Sequence, residues 1–152
     1  MSTLYVVPWY SCNLDCPHCH VHKRQFTFNK DKFMNSLNNA EYDEVVLFGG
    51  EPTMVWVQFK DIIETGKITS VSSNMVMYPT HFIKSVFVPY MLKYNISVAT
   101  SWNLKRFKTL EQVERWAANV KALTDENVDV LLLITLTEDL LEAPLSHVIH
   151  AL

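Results

Sequence analysis

The stretch EVVLFGGEP, residues 44–52, runs through five residues of strand character and then breaks on two glycines and a proline. A near-continuous apolar run of this kind fits a parallel strand, either in a sheet covered on both faces or in one curled into a barrel. Gly49 and Gly50 end the strand. Pro52 suits the first turn of a helix expected over residues 52–65, with Gly66 at its end. Outward from this unit the same order repeats. Residues 4–9 (LYVVPW) read as a strand that Pro8 confines to an edge or an end. A polar loop over 10–23 follows, then a helix over 29–39 that Asn29 or Asp31 can cap, with Phe33 and Leu37 on one face. Downstream come a strand at 68–74, a helix at 80–94 interrupted or bent at Pro89, and a strand at 96–102. A helix at 109–123 carries Leu110, Val113, Ala117, Val120 and Leu123 at helical spacing, and a strand at 128–136 follows. The tail, 138–152, has helical character broken near Pro144.

Strand–helix alternation implies parallel pairing through right-handed crossovers, hence an α/β fold. In such folds sites collect at the C-terminal ends of the strands. Polar signatures follow the expected strands here: Gly49-Gly50-Glu51, Ser72-Ser73-Asn74, Thr100-Ser101-Trp102-Asn103 and Thr135-Leu136-Thr137.

The chain has 152 residues, 49% hydrophobic and 19% charged, which fits one globular domain over 1–152 and not a disordered segment. A formal net charge of −3 argues against a general nucleic-acid binder. No apolar run is long enough to span a bilayer, and residues 1–9 lack the basic start and small-residue cleavage site of a signal peptide. The expectation is a cytoplasmic protein without a membrane partner, in a compartment where thiols stay reduced.

The three cysteines fall within residues 12–19, which read CNLDCPHC. An odd, tightly spaced set is not a disulfide framework; it suggests a metal or redox site. Three thiolates in one loop can wrap one iron–sulfur cube and leave one iron without a protein ligand. Four cysteines would close the cluster and suit electron transfer, whereas an open iron can bind a small molecule. Other readings compete. Cys16 to His20 matches the haem-attachment pattern, which needs export and leaves Cys12 idle. Cys16-Pro17-His18-Cys19 matches a thioredoxin-like redox pair, although nothing downstream fits that fold. Structural zinc on the cysteines plus His18, His20 or His22 is the serious rival, yet zinc sites usually bring two separated ligand pairs. Three inert buried cysteines this close together, among polar neighbours, are improbable.

CNLDCPHC at 12–19, followed one strand and one helix later by GGEP at 49–52, resembles the radical S-adenosylmethionine (radical SAM) superfamily. The likeness extends from about residue 4 to 137. It implies a partial (β/α) barrel of mostly parallel strands, shortened at the C-terminus, with about five strands before the tail where the family usually has six. It implies a [4Fe–4S] cluster on Cys12, Cys16 and Cys19, with S-adenosylmethionine chelating the fourth iron. Gly49, Gly50, Glu51 and Pro52 would receive the amino group of that cofactor, with Glu51 meeting the ammonium. Ser73 and Asn74 would line the pocket, and Ser101 and Asn103 would bond the ribose or carboxylate. His18 stands where the family usually has an aromatic residue beside adenine. The implied reaction is reductive cleavage to a 5′-deoxyadenosyl radical that takes hydrogen from a substrate. Implied partners are a reductant protein such as a flavodoxin or ferredoxin, a substrate, and a second chain or self-association completing the barrel. The alternative is a non-catalytic iron–sulfur or zinc-binding partner protein built on the same fold.

Single residues also have plainer readings. Glu51 suits a helix start, and asparagines such as Asn74 and Asn103 favour turns. Arg106, beside Lys105 and Lys108, reads as part of a solvated charge run, with a carboxylate clamp as the lesser reading. Trp102 and Trp116 read as core. His81, His147 and His150 read as structural, and His20 and His22 as surface loop residues.

Overall fold

The computed structural model describes residues 2–19, 21, 28–39, 41–103 and 105–134. Five strands lie in one sheet in chain order, every neighbouring pair parallel: β1 (Thr3–Val6), β2 (Glu44–Leu47), β3 (Ser70–Ser72), β4 (Ser97–Trp102) and β5 (Val130–Ile134). The sheet is open, with β1 and β5 at its edges. Registers Val6↔Leu47, Leu47↔Val71, Val71↔Val98 and Val98↔Val130 form a single apolar row across all five strands. Leu47, Val71 and Val98 in that row are fully buried.

Helices α1 (Lys30–Asn38), α2 (Trp56–Ile63), α3 (Thr80–Phe82), α4 (Val88–Tyr94) and α5 (Leu110–Asp125) occupy the connections. With right-handed crossovers, a sheet in chain order carries all its helices on one face. Burial agrees. Val45, Leu47, Val71, Val98, Thr100 and Trp102 are buried, whereas Tyr5, Leu131 and Leu133 on the opposite face are 65%, 58% and 45% exposed. Of the two arrangements expected, a sheet covered on both faces or one curled into a barrel, the described residues cover one face of an open sheet, and residues 135–152 lie outside them. The core between sheet and helices has an aromatic centre. Trp56 stacks on Phe59 at 5.2 Å and meets the edge of Phe82 at 5.0 Å, and Phe59 stacks on Phe87 at 6.0 Å.

Local boundaries follow from local chemistry. Asn29 caps α1, its side chain accepting the Lys32 N–H at 2.9 Å. The helix expected over 52–65 splits into a 3₁₀ turn, Pro52–Met54, and α2. The interruption expected at Pro89 is a wide π turn, Ile83–Phe87, between α3 and α4. Pro89 has no N–H, and its ring would press on the carbonyl of Ser85; a wider turn relieves both problems.

The apolar face expected on α5 is rotated. Leu110 is 71% and Val113 36% exposed, while Trp116, Asn119, Ala122 and Leu123 are buried. Asn119 escaped the hydropathy pattern because it is polar, yet it sits at the centre of the buried face. Its Nδ2 donates to the carbonyls of Met75 at 2.7 Å and Tyr78 at 2.9 Å, tying α5 to the segment after β3. Trp116 donates its indole N–H to Thr100 Oγ1 at 3.1 Å, which confirms its core position. No helix among the described residues is long and apolar enough to cross a membrane.

Asn119→Leu should leave the buried Met75 carbonyl and the part-buried Tyr78 carbonyl without this donor and cost about 2 kcal/mol of stability. Urea denaturation checks this; an unchanged midpoint would refute the tie.

Candidate functional site

All three cysteines lie in the loop that leaves β1 and crosses the C-terminal ends of the neighbouring strands. Backbone bonds pin its start to the segment after β2. Gly50 N–H donates to Trp9 O at 3.2 Å and Glu51 N–H to Ser11 O at 2.8 Å. The Trp9 indole returns a bond to Glu51 O at 2.8 Å. Such close approach explains the two glycines. A Cβ on Gly49, at φ +138°, would sit 2.6 Å from Trp9 O, and one on Gly50 would sit 2.1 Å from Ser11 O. No side chain fits at either place. The glycines thus admit the cysteine loop's own backbone, a constraint that exists without any ligand.

Glu51 is wholly buried. Its Oε1 accepts the Thr53 hydroxyl at 2.6 Å, the Thr53 N–H at 3.1 Å and the Ser73 hydroxyl at 2.9 Å. Its Oε2 accepts the Asn74 N–H at 2.7 Å. One carboxylate therefore joins the ends of β2 and β3, and its backbone holds the cysteine loop. Four donors from the chain already surround the side chain expected to meet an ammonium. Burial pushes its pKa above the ordinary value, opposed by bonds from Thr53, Asn74 and Ser73. Tyr78, whose hydroxyl donates to Thr53 O at 2.9 Å, is likewise raised, by burial and then by the Glu51 charge.

Asn74 continues the chain of contacts. Its Nδ2 donates to Asn13 Oδ1 at 2.7 Å and lies 3.7 Å from Cys12 Sγ. Its Oδ1 accepts the Val76 N–H at 2.9 Å, so it also shapes a turn. Leu14 N–H points at Cys12 Sγ at 3.4 Å, and the buried Leu14 side chain anchors the loop to the core. Between Cys16 and Cys19 the chain makes a turn, Cys19 N–H donating to Cys16 O at 3.1 Å. Pro17 supplies the fixed φ that such a turn favours, and His18 is exposed beside it. Pro52 is buried and opens the 3₁₀ turn beyond Glu51.

Ser101 and Asn103 lie farther along the strand ends. Ser101 shares the open face of β4 with Ser97 and Ala99. Asn103 is buried, and its Oδ1 accepts the Lys105 N–H at 2.8 Å, a turn-forming bond. Trp102 is buried in the core. His20 and His22, and the Thr135-Leu136-Thr137 signature, lie outside the described residues, as do His147 and His150.

Arg106 corrects the sequence reading of a solvated charge run. Its Nε is buried and meets no hydrogen-bond partner among the described residues. Desolvation lowers its pKa, opposed by the charges of Cys16, Glu51, Cys12 and Cys19. A cation is thus held near the cysteine loop. Lys108, by contrast, is exposed and reaches Asp15 at 3.7 Å. Sequence patterning also missed Thr53, which gives Glu51 two of its four bonds.

None of the three cysteines is in a disulfide. Among the described residues, no three His, Cys, Asp or Glu side chains gather closely enough to hold a single metal ion. Cluster ligands stand apart on the corners of a cube, so they need not converge on one ion-sized point. N–H groups directed at sulfur, and a cation held nearby, are the surroundings that suit thiolate ligands. Compared with known protein families and with curated proteins, the chain matches none.

Gly50→Ala should displace the cysteine loop and cost about 3 kcal/mol, because backbone stands where the methyl must go; a melting curve like that of the wild type would refute this. The sign of Glu51's titration gives a second prediction. Its folded pKa is raised, so the stability it contributes is complete below the ordinary carboxylate range and is lost as pH rises through the folded value. Glu51→Gln lacks that titration. The stability difference, wild type minus variant, should therefore shrink as pH rises, as read from urea midpoints; a difference that grows would reverse the sign.

Proposed function

We propose that the chain is an iron–sulfur enzyme of the radical SAM type, holding a [4Fe–4S] cluster on Cys12, Cys16 and Cys19. The observation that carries this reading is one loop bearing all three cysteines of the chain, pinned through Glu51 across the C-terminal ends of β1, β2 and β3. With no fourth cysteine, a cube held there keeps one iron for a small chelating ligand. A reduced cluster held by Cys12, Cys16 and Cys19 would supply the single electron needed for reductive cleavage of S-adenosylmethionine at its C5′–S bond.

The chain's own residues bind, orient and shield. Leu14 and Trp9 fix the cysteine loop on the core, and Asn74 steadies Cys12 through its amide. Arg106 offsets negative charge brought together by the thiolates. The carbonyls of Gly49 and Gly50, and not the occupied Glu51 carboxylate, would be the acceptors for an ammonium. Glu51 acts as a positioning residue. Ser101, on the open face at the end of β4, would bond a ribose or carboxylate, and His18, exposed on the loop, would lie beside adenine. A reductant protein would approach the exposed side of the loop at Pro17, His18 and Cys19.

Anaerobic reconstitution with iron and sulfide should give the broad visible absorbance of a cluster, and Cys16→Ala should abolish it. Dithionite and S-adenosylmethionine should then yield 5′-deoxyadenosine. No uptake of iron and sulfide, or an unaltered spectrum in Cys16→Ala, would overturn the assignment. A cluster that forms without 5′-deoxyadenosine, or uptake of zinc in its place, would favour a non-catalytic metal-binding partner protein.

A further inference from the structure

The open face of the sheet holds a cavity of about 370 Å³ that runs up to the strand ends. Its floor rows follow the strand registers: Val46, Ser70 and Ser97 side by side, then Ser72, Ala99 and Leu131. Tyr5 and Phe48, edge to face at 6.2 Å, make one wall. Leu131 and Leu133 make the other. The cavity runs from Glu44, Ser70 and Ser97 at the strand starts to Phe48 and Ser72, which directly precede Gly49 and Ser73, so its upper end lies one residue from the site described above.

Its chemistry is selective. Two apolar walls flank a floor with the hydroxyls of Ser70, Ser72 and Ser97, and Ala99 keeps that floor deep. Among the described residues, the lining contains no lysine, arginine or histidine, and its one carboxylate is Glu44. A phosphate or carboxylate brought here would lose water, meet no cation and be repelled by Glu44. The walls stand about three strand spacings apart, so a compound lying flat along the floor would meet aromatic rings at one end and leucines at the other, and its hydroxyls could exchange bonds with serines. The volume lies at the small end of ligand cavities.

We propose that this trough is the substrate-binding site, and that it takes an uncharged ring compound bearing hydroxyls, with the chemistry of an unphosphorylated nucleoside. The assignment as substrate rests on the radical SAM reading; the trough's preference for a neutral ring rests on its lining alone.

The test titrates the full chain, without cluster, with inosine and with inosine 5′-monophosphate by calorimetry. Inosine should bind at least tenfold more tightly than the monophosphate. Ser70→Leu, which fills the floor, should weaken inosine at least tenfold, and Leu133→Ser, on an exposed wall, should weaken it severalfold. Should Ser70→Leu melt early, Leu133→Ser carries the decision. Undetectable inosine binding at millimolar concentration, equal binding of the monophosphate, wild-type affinity in the deciding variant, or displacement of inosine by S-adenosylmethionine would each overturn the proposal. Absence of 5′-deoxyadenosine from the reconstituted protein would instead remove the radical reading, and leaves the inosine titration readable by itself.

Discussion

A carboxylate sealed away from water is the constraint on which the strand ends depend. Glu51 is taken out of solvent at a cost that only several well-aimed donors offset, and the chain supplies four. Those donors come from two places far apart in sequence, the turn after β2 and the segment after β3. The same residue's N–H and carbonyl bind Ser11 and Trp9 at the start of the cysteine loop. Three segments are thus located by one residue. Removing any of them leaves a buried polar group unmatched, so their geometry is shared and not adjustable piece by piece.

Glycine at 49 and 50 is the steric counterpart of that constraint. Backbone carbonyls of residues 9–11 fill the space where a Cβ would stand. Folding alone makes this demand, so a ligand need not be invoked for the glycines. Cys12 inherits its position from this packing. Asn74, fixed by its own N–H to Glu51, turns its amide toward Cys12 and Asn13. The loop therefore arrives with part of its sulfur environment already arranged, before any metal is considered.

Much of this was legible in the residues. Strands such as 44–48 and 128–136 announced themselves by apolar runs, and parallel pairing followed from their alternation with helices. Sidedness was not legible, because an apolar run looks alike in a sheet covered on both faces and in one that curls. Helix α5 misled for a different reason. Hydropathy cannot see that a buried asparagine is worth placing where two carbonyls need donors, so Asn119 was passed over in favour of Leu110 and Val113. Arg106 was hidden by its neighbours, Lys105 and Lys108, which do face water. For Glu51 the sequence marked the right residue, and spacing alone could not reveal that Thr53, Ser73 and Asn74 would enclose it.

Strand order also decides where chemistry could be protected. A sheet threaded 1-2-3-4-5 sends every crossover to one side, so the described helices exclude water from one face. The cysteine loop lies over the strand ends, at the border between the dry face and the open one. Trp9, Leu14 and the buried Glu51 network close that border from below, and would guard a reactive species if one formed there. On its other side, the described residues offer only the serine-floored trough. Shielding there must come from whatever fills the trough, since exclusion of water is what keeps a reactive intermediate from being quenched. If the trough is filled as proposed, its occupant would both face the strand ends and limit water there.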